Sequence, residues 1–143
     1  MDFSKKEYFV NRETSWLEFN QRVLDQAFSE DNPILERLKF LCIVSSNLDE
    51  FFEVRVAGLK QQMQTESSET GPDGLSAKET LALISTRTKR MVEDQYRCWR
   101  EHIAPALDAQ RIRFHSYPDV PPDESAYFEK YFRDTIYPVL TPL

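Results

Sequence analysis

The sequence predicts an all-α protein, an antiparallel bundle of about four helices followed by the truncated start of a second, α/β domain. Three observations predict it. Apolar side chains recur at three- and four-residue spacing from Trp16 to Ile103. Capping signals stand before the successive stripes, at Ser15, at Asn32-Pro33 and at Ser76. After Arg111 the pattern changes to a short alternation closed by Pro118, Pro121 and Pro122.

The elements follow in order. Ser15 and Glu18 have capping-box spacing and start a first helix that runs to about Phe28. Trp16, Phe19, Val23 and Ala27 give its apolar stripe, with Leu17 and Leu24 beside them. Asn32-Pro33 opens a second helix, with proline at the first helical position, where its missing N–H wastes no hydrogen bond. Leu35, Leu38, Leu41 and Cys42 form its inner stripe, and the run from Phe40 to Val44 makes it apolar nearly all round, as in a buried central helix.

That helix is expected to stop near Ser45. Ser46 to Asp49 reads as a new cap, with Asp49 complementing the dipole of a third helix. Leu48, Phe52, Arg55 and Leu59 share a face of it, flanked by Phe51. Val54, Arg55 and Val56 also alternate like a strand, but no turn residue follows until Gly71, and the length favours helix. Residues 64 to 75, QTESSETGPDGL, form a polar loop with Gly-Pro and Asp-Gly pairs. Ser76 and Glu79 repeat the capping box and start the longest helix. Leu81, Ile84, Met91, Val92, Tyr96, Trp99 and Ile103 line it, and it ends near Pro105 or one turn beyond.

Arg111 to Tyr117 then reads as a short strand, and Asp123 to about Tyr137 as a helix closed by Pro138 and Pro142. A single strand has no partner here, so a domain boundary falls near residue 109. Residues 1–109 form the helical domain, and 110–143 begin the next one.

Composition narrows the function. Hydrophobic residues at 41% supply a core, and 13% aromatics exclude a disordered tail. The three glycines, Gly58, Gly71 and Gly74, cannot build a GxGxxG or Walker loop. Cys42 and Cys98 sit inside apolar helical patterns, and with no signal peptide a reduced, cytoplasmic compartment is expected, with peripheral membrane contact left open. No run of about 18 apolar residues marks a membrane span.

The net charge is −6, and the one basic stretch lies between residues 84 and 114. There Arg87, Lys89, Arg90, Arg97, Arg100, Arg111 and Arg113 outnumber four acidic residues. A polyanion such as polyphosphate or DNA needs a denser positive track, so a solvated helix surface is the preferred reading and no nucleic-acid partner is expected.

Three strings occur in one order: SWLEFN, ERLKFL and NLDEFFEVRV. Together they resemble the N-terminal domain of the polyphosphate kinases, densely over about the first sixty residues and loosely beyond, through the final YPVLTPL. Thr14 stands where an aliphatic residue is usual in that family, and Cys42 where a smaller apolar residue is common. The resemblance implies a front piece of an enzyme that moves the terminal phosphate between ATP and inorganic polyphosphate through a phosphohistidine further along a longer chain. It implies ATP as substrate, Mg²⁺ bound by later domains, a homo-oligomeric full-length protein, and no activity in residues 1–143 alone. It also implies that this helical domain forms the upper wall of the nucleotide site. There the Asn of NLDEFF, here Asn47, contacts ATP, with Arg55 of the VRVA segment a second nucleotide-binding residue.

The residues themselves allow this reading of Asn47 without requiring it. A helix N-terminus offers free N–H groups, the Asn amide suits a purine edge or ribose, and Phe51 or Phe52 supplies an apolar floor. Asn47 and Asp49 acting only as caps is the plainer alternative. His102 and His115 have no second ligand at zinc-like spacing, and neither matches the surroundings of the family's phosphohistidine. Asp49, Glu50 and Glu53 are better explained as a solvated face or ion pairs with Arg55 than as a metal site. Trp16 and Trp99 read as core or domain-contact anchors. A ligand-free helical interaction module is the alternative function.

Overall fold

The computed structural model describes residues 5–64 and 70–141, and its regular structure begins with a 3₁₀ turn at Lys6–Tyr8. Helix α1 (Arg12–Phe28) is capped by Asn11, whose backbone is extended and whose Oδ1 accepts the Thr14 N–H at 3.0 Å. The expected Ser15–Glu18 capping box therefore does not form, and Ser15 lies within the first turn. Asn11 takes the position because its amide also donates to Asp73 at 2.7 Å and to Thr80 at 3.3 Å, tying the helix start to the loop and helix beside it. The buried stripe is Leu17, Asn20, Leu24 and Ala27: Ala27 is buried as expected, while Leu17, Asn20 and Leu24 take the places expected of Trp16, Phe19 and Val23. Phe19 stays 47% exposed, while Trp16 and Val23 pack at the margin of the core.

Helix α2 (Ile34–Glu50) starts one residue later than expected, with Pro33 as its cap. It does not break at Ser45. It passes through a π-helical turn at Phe51–Val56 into α3 (Ala57–Gln64). Ser45 returns its hydroxyl to the Leu41 carbonyl one turn back, so a residue that often leaves helices is accommodated inside one. Neither Gly nor Pro stands nearby to force a break. The π turn brings residues five apart onto one face, and Phe51 and Val56 are both buried. Val54 points outward, which disposes of the strand-like alternation.

Helix α4 (Ala77–Arg97) has the expected capping box, with Ser76 and Glu79 each accepting from the other's backbone N–H. Its stripe, buried at Thr80, Ile84, Thr88 and Met91, continues through a second π turn at Cys98–Ile103 into α5 (Ala104–Ala109). The i→i+5 spacing again buries both ends, Cys98 and Ile103. Here Pro105 follows at once, and a widened turn is a common answer to a proline ring crowding the preceding turn. Before α4, Gly74 holds a left-handed φ of 81° in the turn from Gly71 to Gly74, and a β-carbon there would meet Lys6 at 2.9 Å.

The α-helices α1 to α4 thus form three antiparallel or parallel rods. α1 packs antiparallel to α2 and parallel to α4, and α3 packs on α4. Arg37, buried on α2, donates through Nε to the Ala27 carbonyl at 2.9 Å and through Nη2 to Phe28 at 3.4 Å, closing the C-terminus of α1. Leu17, Leu24, Val44, Phe51, Ile84 and Met91 are almost wholly buried at the centre. The rod ends at Arg111, held at a left-handed φ of 64°, with its N–H on the Asp108 carbonyl at 2.8 Å.

The chain divides into two compact units, Met1–Arg111 and Ile112–Leu143. In the second, residues 112–116 carry no strand, contrary to expectation, and no strand occurs among the described residues. A single extended segment needs a second strand to form a ladder, and none lies beside it among the described residues. A 3₁₀ turn at Tyr117–Asp119 leads to α6 (Pro122–Tyr131), a π turn at Phe132–Ile136 and a 3₁₀ turn at Tyr137–Val139. No residue of these elements is buried. Residues 65–69 of the expected loop and the closing Pro142 lie outside the described residues.

Candidate functional site

The seam between α1 and α2 brings the two sequence-predicted site residues onto one surface. Asn47 is not at a helix start. It lies inside α2, so its N–H is spent within the helix and no dipole end is available to a ligand. Its side chain turns instead toward α1, where Nδ2 donates to Oδ1 of Asn20 at 2.9 Å. Asn20 is fully buried, and its own Nδ2 donates to the Val44 carbonyl at 3.3 Å and the Met91 sulfur at 3.6 Å.

One turn further along the seam, Trp16 and Phe51 stack with ring centroids 4.6 Å apart and planes 10° from parallel. Phe52 meets Phe51 edge-on and stays 42% exposed. Beyond the stack, Arg55 faces Glu13 at 3.9 Å, and not the neighbouring acidic residues of its own helix. Eight residues separate Asn47 from Arg55, or about 12 Å along the rod. The seam is therefore an amide, a flat aromatic pair and a guanidinium in line. An amide can hydrogen-bond a base or a ribose, the aromatic face can stack, and the guanidinium can meet a phosphate.

The other candidates separate. Asp49 faces a groove between α2 and α4, lined also by Leu38, Cys42, Val92, Tyr96 and Trp99, so Asp49, Glu50 and Glu53 do not converge. No group of three or more acidic, His or Cys side chains that could hold a metal occurs among the described residues. Asp49, Glu50 and Glu53 thus do not form a three-ligand set for a metal ion. Thr88 lines the same groove, and its buried Oγ1 has no partner among the described residues. His102 packs edge-on against Phe28, 5.3 Å between centroids, and His115 is exposed.

Three basic side chains of α4 and the π turn after it have partners. Arg87 binds the Glu18 carboxylate and donates to Gln21 at 3.1 Å. This hydrogen bond from Arg87 holds the Glu18 carboxyl below the usual range and pushes the guanidinium up. Arg97 pairs with Asp94 at 2.9 Å and sits over the Phe28 ring. Arg100 lies over Tyr96. Burial raises the Cys98 thiol, opposed by Arg37 and Arg97, and the protonated form is the resting one.

Asn20, Arg37 and Glu13 escape a reading by apolar period, although each organises the seam. A polar residue on the buried phase of a stripe is the signal that identifies Asn20, and that phase is visible only once the helices pack.

Comparison with known proteins places the chain in a family. The family model described as the polyphosphate kinase N-terminal domain matches residues 9–115. The polyphosphate kinase of Lactiplantibacillus plantarum is 43% identical over the whole chain, and that of Pseudomonas putida 47% identical over 94% of it. The crystal structure of polyphosphate kinase from Porphyromonas gingivalis superimposes with a TM-score of 0.79 at 36% identity, covering 94% of this chain and 19% of that one. The chain spans 20% and 19% of the length of the two sequence relatives. The chain belongs to the polyphosphate kinase family, of which residues 9–115 are the N-terminal domain.

Proposed function

We propose that residues 1–109 form one wall of the nucleotide site of a polyphosphate kinase that reversibly transfers the terminal phosphate of ATP to inorganic polyphosphate. Asn47 and Arg55 are its nucleotide-binding residues. Residues 110–143 begin the following domain. The observation that carries this reading is the alignment of Asn47, the Trp16–Phe51 stack and Arg55 on one seam, in a family match spanning both residues. Such a wall contributes positioning and charge stabilisation, which is most of what a protein supplies in phosphoryl transfer.

The covalent work lies elsewhere. His102 is packed against an aromatic ring, and among the described residues His115 has no orienting partner of the kind that activates a nucleophile, so the phosphate-carrying histidine is placed outside residues 1–143. The metal belongs with it. The working enzyme is a cytoplasmic homo-oligomer. Among the described residues no helix is long and apolar enough to cross a membrane.

Photolabelling of the full-length enzyme with azido-ATP tests the wall. Label is expected in peptides from Glu13 to Phe28 or from Val44 to Arg55, and excess ATP should protect them. Label confined to residues beyond 143, with full activity, would remove this domain from the nucleotide site.

A further inference from the structure

The hydrogen bonds around Asn20 settle a question of polarity at Asn47. An Asn side chain can be turned either way, presenting its oxygen or its amine, and the network decides which. Asn20 has no such freedom. Its Nδ2 lies 3.3 Å from the Val44 carbonyl and 3.6 Å from the Met91 sulfur, both acceptors. Turning the amide over would set its oxygen against the carbonyl oxygen, in a site sealed from bulk solvent. Asn20 Oδ1 is therefore fixed as the acceptor that faces Asn47. Only the Nδ2 of Asn47 can meet it, at 2.9 Å. The Asn47 amide is fixed in turn, and its Oδ1 receives no hydrogen bond among the described residues. Asn47 is half-buried and stands one turn before Phe51 of the aromatic stack.

We infer that Asn20 is a positioning residue for the nucleotide: it orients Asn47 so that Asn47 Oδ1 accepts a hydrogen bond from a donor group of ATP, the exocyclic amine of adenine or a ribose hydroxyl. The inference rests on the reading that Asn47 contacts the nucleotide, and goes beyond it by naming what holds the amide and which ligand groups it selects. Asn20 touches no ligand. Its effect is to remove the amide's wrong orientation and to keep the correct one from wandering, so that the ordering is complete before ATP arrives.

The test is steady-state kinetics of the full-length enzyme with ATP and with analogues that lack one group each. Purine riboside triphosphate lacks the exocyclic amine, the deoxy-ATPs lack a ribose hydroxyl, and deaza-ATP lacks a ring acceptor. The wild type should discriminate against one of the donor-lacking analogues, which also identifies the donor. Asn20→Leu keeps the volume of the core but releases Asn47. It should raise the ATP KM by roughly two- to tenfold, the effect of one neutral hydrogen bond, with kcat unchanged. Discrimination against the same analogue should shrink in step. A structural defect alone would lower the active fraction and leave KM and analogue preference where they were. If Asn20→Leu melts too low to assay, Asn20→Ser carries the same expectation. It keeps a donor for the Val44 carbonyl but is too short to reach Asn47.

Three results overturn the inference. Asn20→Leu or Asn20→Ser with wild-type KM and wild-type discrimination does so, while a raised KM in Asn47→Leu would leave the nucleotide reading standing. Discrimination by the wild type only against deaza-ATP reverses the assigned polarity. If Asn47→Leu also has a wild-type KM, both the inference and the nucleotide reading fall.

Discussion

The two units of this chain treat the same kinds of side chain in opposite ways. In the first, Leu17, Leu24, Phe51, Ile84, Met91, Ile103 and Leu107 are sealed from solvent by three packed rods. In the second, Tyr127, Phe128, Tyr131, Phe132 and Tyr137 are all exposed, Tyr127 and Tyr137 at 65%. They touch one another, as in the stacked Tyr127–Tyr131 pair, but bury nothing. A helix stabilises a fold through the face it hides, so the first unit contains its own stabilisation and the second presents a surface for burial.

The sharpest way to break this comparison is a matched pair of truncations. Leu24→Ala should lower the stability of the first unit by about 2–5 kcal/mol, because the fully buried site cannot collapse around the missing atoms. Phe132→Ala should change the melting of residues 1–143 by no more than about 0.5 kcal/mol. Equal losses in thermal or urea unfolding would mean that the second unit has a core after all.

Arg37→Met offers the next largest effect. It keeps the stem but strips the Ala27 and Phe28 carbonyls of their donors, and urea unfolding should report a loss of about 1–3 kcal/mol. A neutral result would assign the closure of α1 to packing alone. Arg111→Gly, at the junction, should act in the other direction. Glycine holds a left-handed φ without the steric penalty, and a rise of about 0.5–1 kcal/mol is expected in the same assay.

The smallest effect is electrostatic. The hydrogen bond from Arg87 lowers the folded-state pKa of Glu18, so the pair stabilises above the unfolded-state pKa and its contribution fades as pH falls through the folded one. The melting difference between wild type and Arg87→Gln should be constant near neutrality and shrink between about pH 5 and pH 3. Glu18 is 54% exposed, so screening keeps the whole difference under about 1 kcal/mol. A difference that grew on acidification would contradict the sign. Finally, residues 1–143 incubated with labelled ATP and Mg²⁺ should acquire no stable phosphate, and phosphate on His102 or His115 would reopen the placing of the nucleophile.

Local pairings were legible in the sequence because both partners stand within one turn. Ser76 and Glu79 need only each other, and they cap α4 as their spacing predicts. The same spacing at Ser15 and Glu18 failed because a competitor, Asn11, finds Asp73 and Thr80 across the bundle, and Glu18 finds Arg87. Asn47 was singled out by its motif, but its setting was misread. The polar run from Ser45 to Asp49 looks like a helix start, and only the packing of Asn47 on Asn20 and the back-bonded Ser45 keep it helical.

By itself, then, the sequence determined the all-helical class, the family and the cap of the longest helix, because period, turn chemistry and motif order are properties of neighbours along the chain. Tertiary structure alone decided which phase of α1 faces inward, that α2 and α3 are one rod, and which atom of Asn47 is tied to Asn20. Each of these depends on a partner tens of residues away: Val44 and Met91 orient Asn20, Asn20 orients Asn47, and five-residue spacing becomes one face only when a π turn is stabilised by burying both ends.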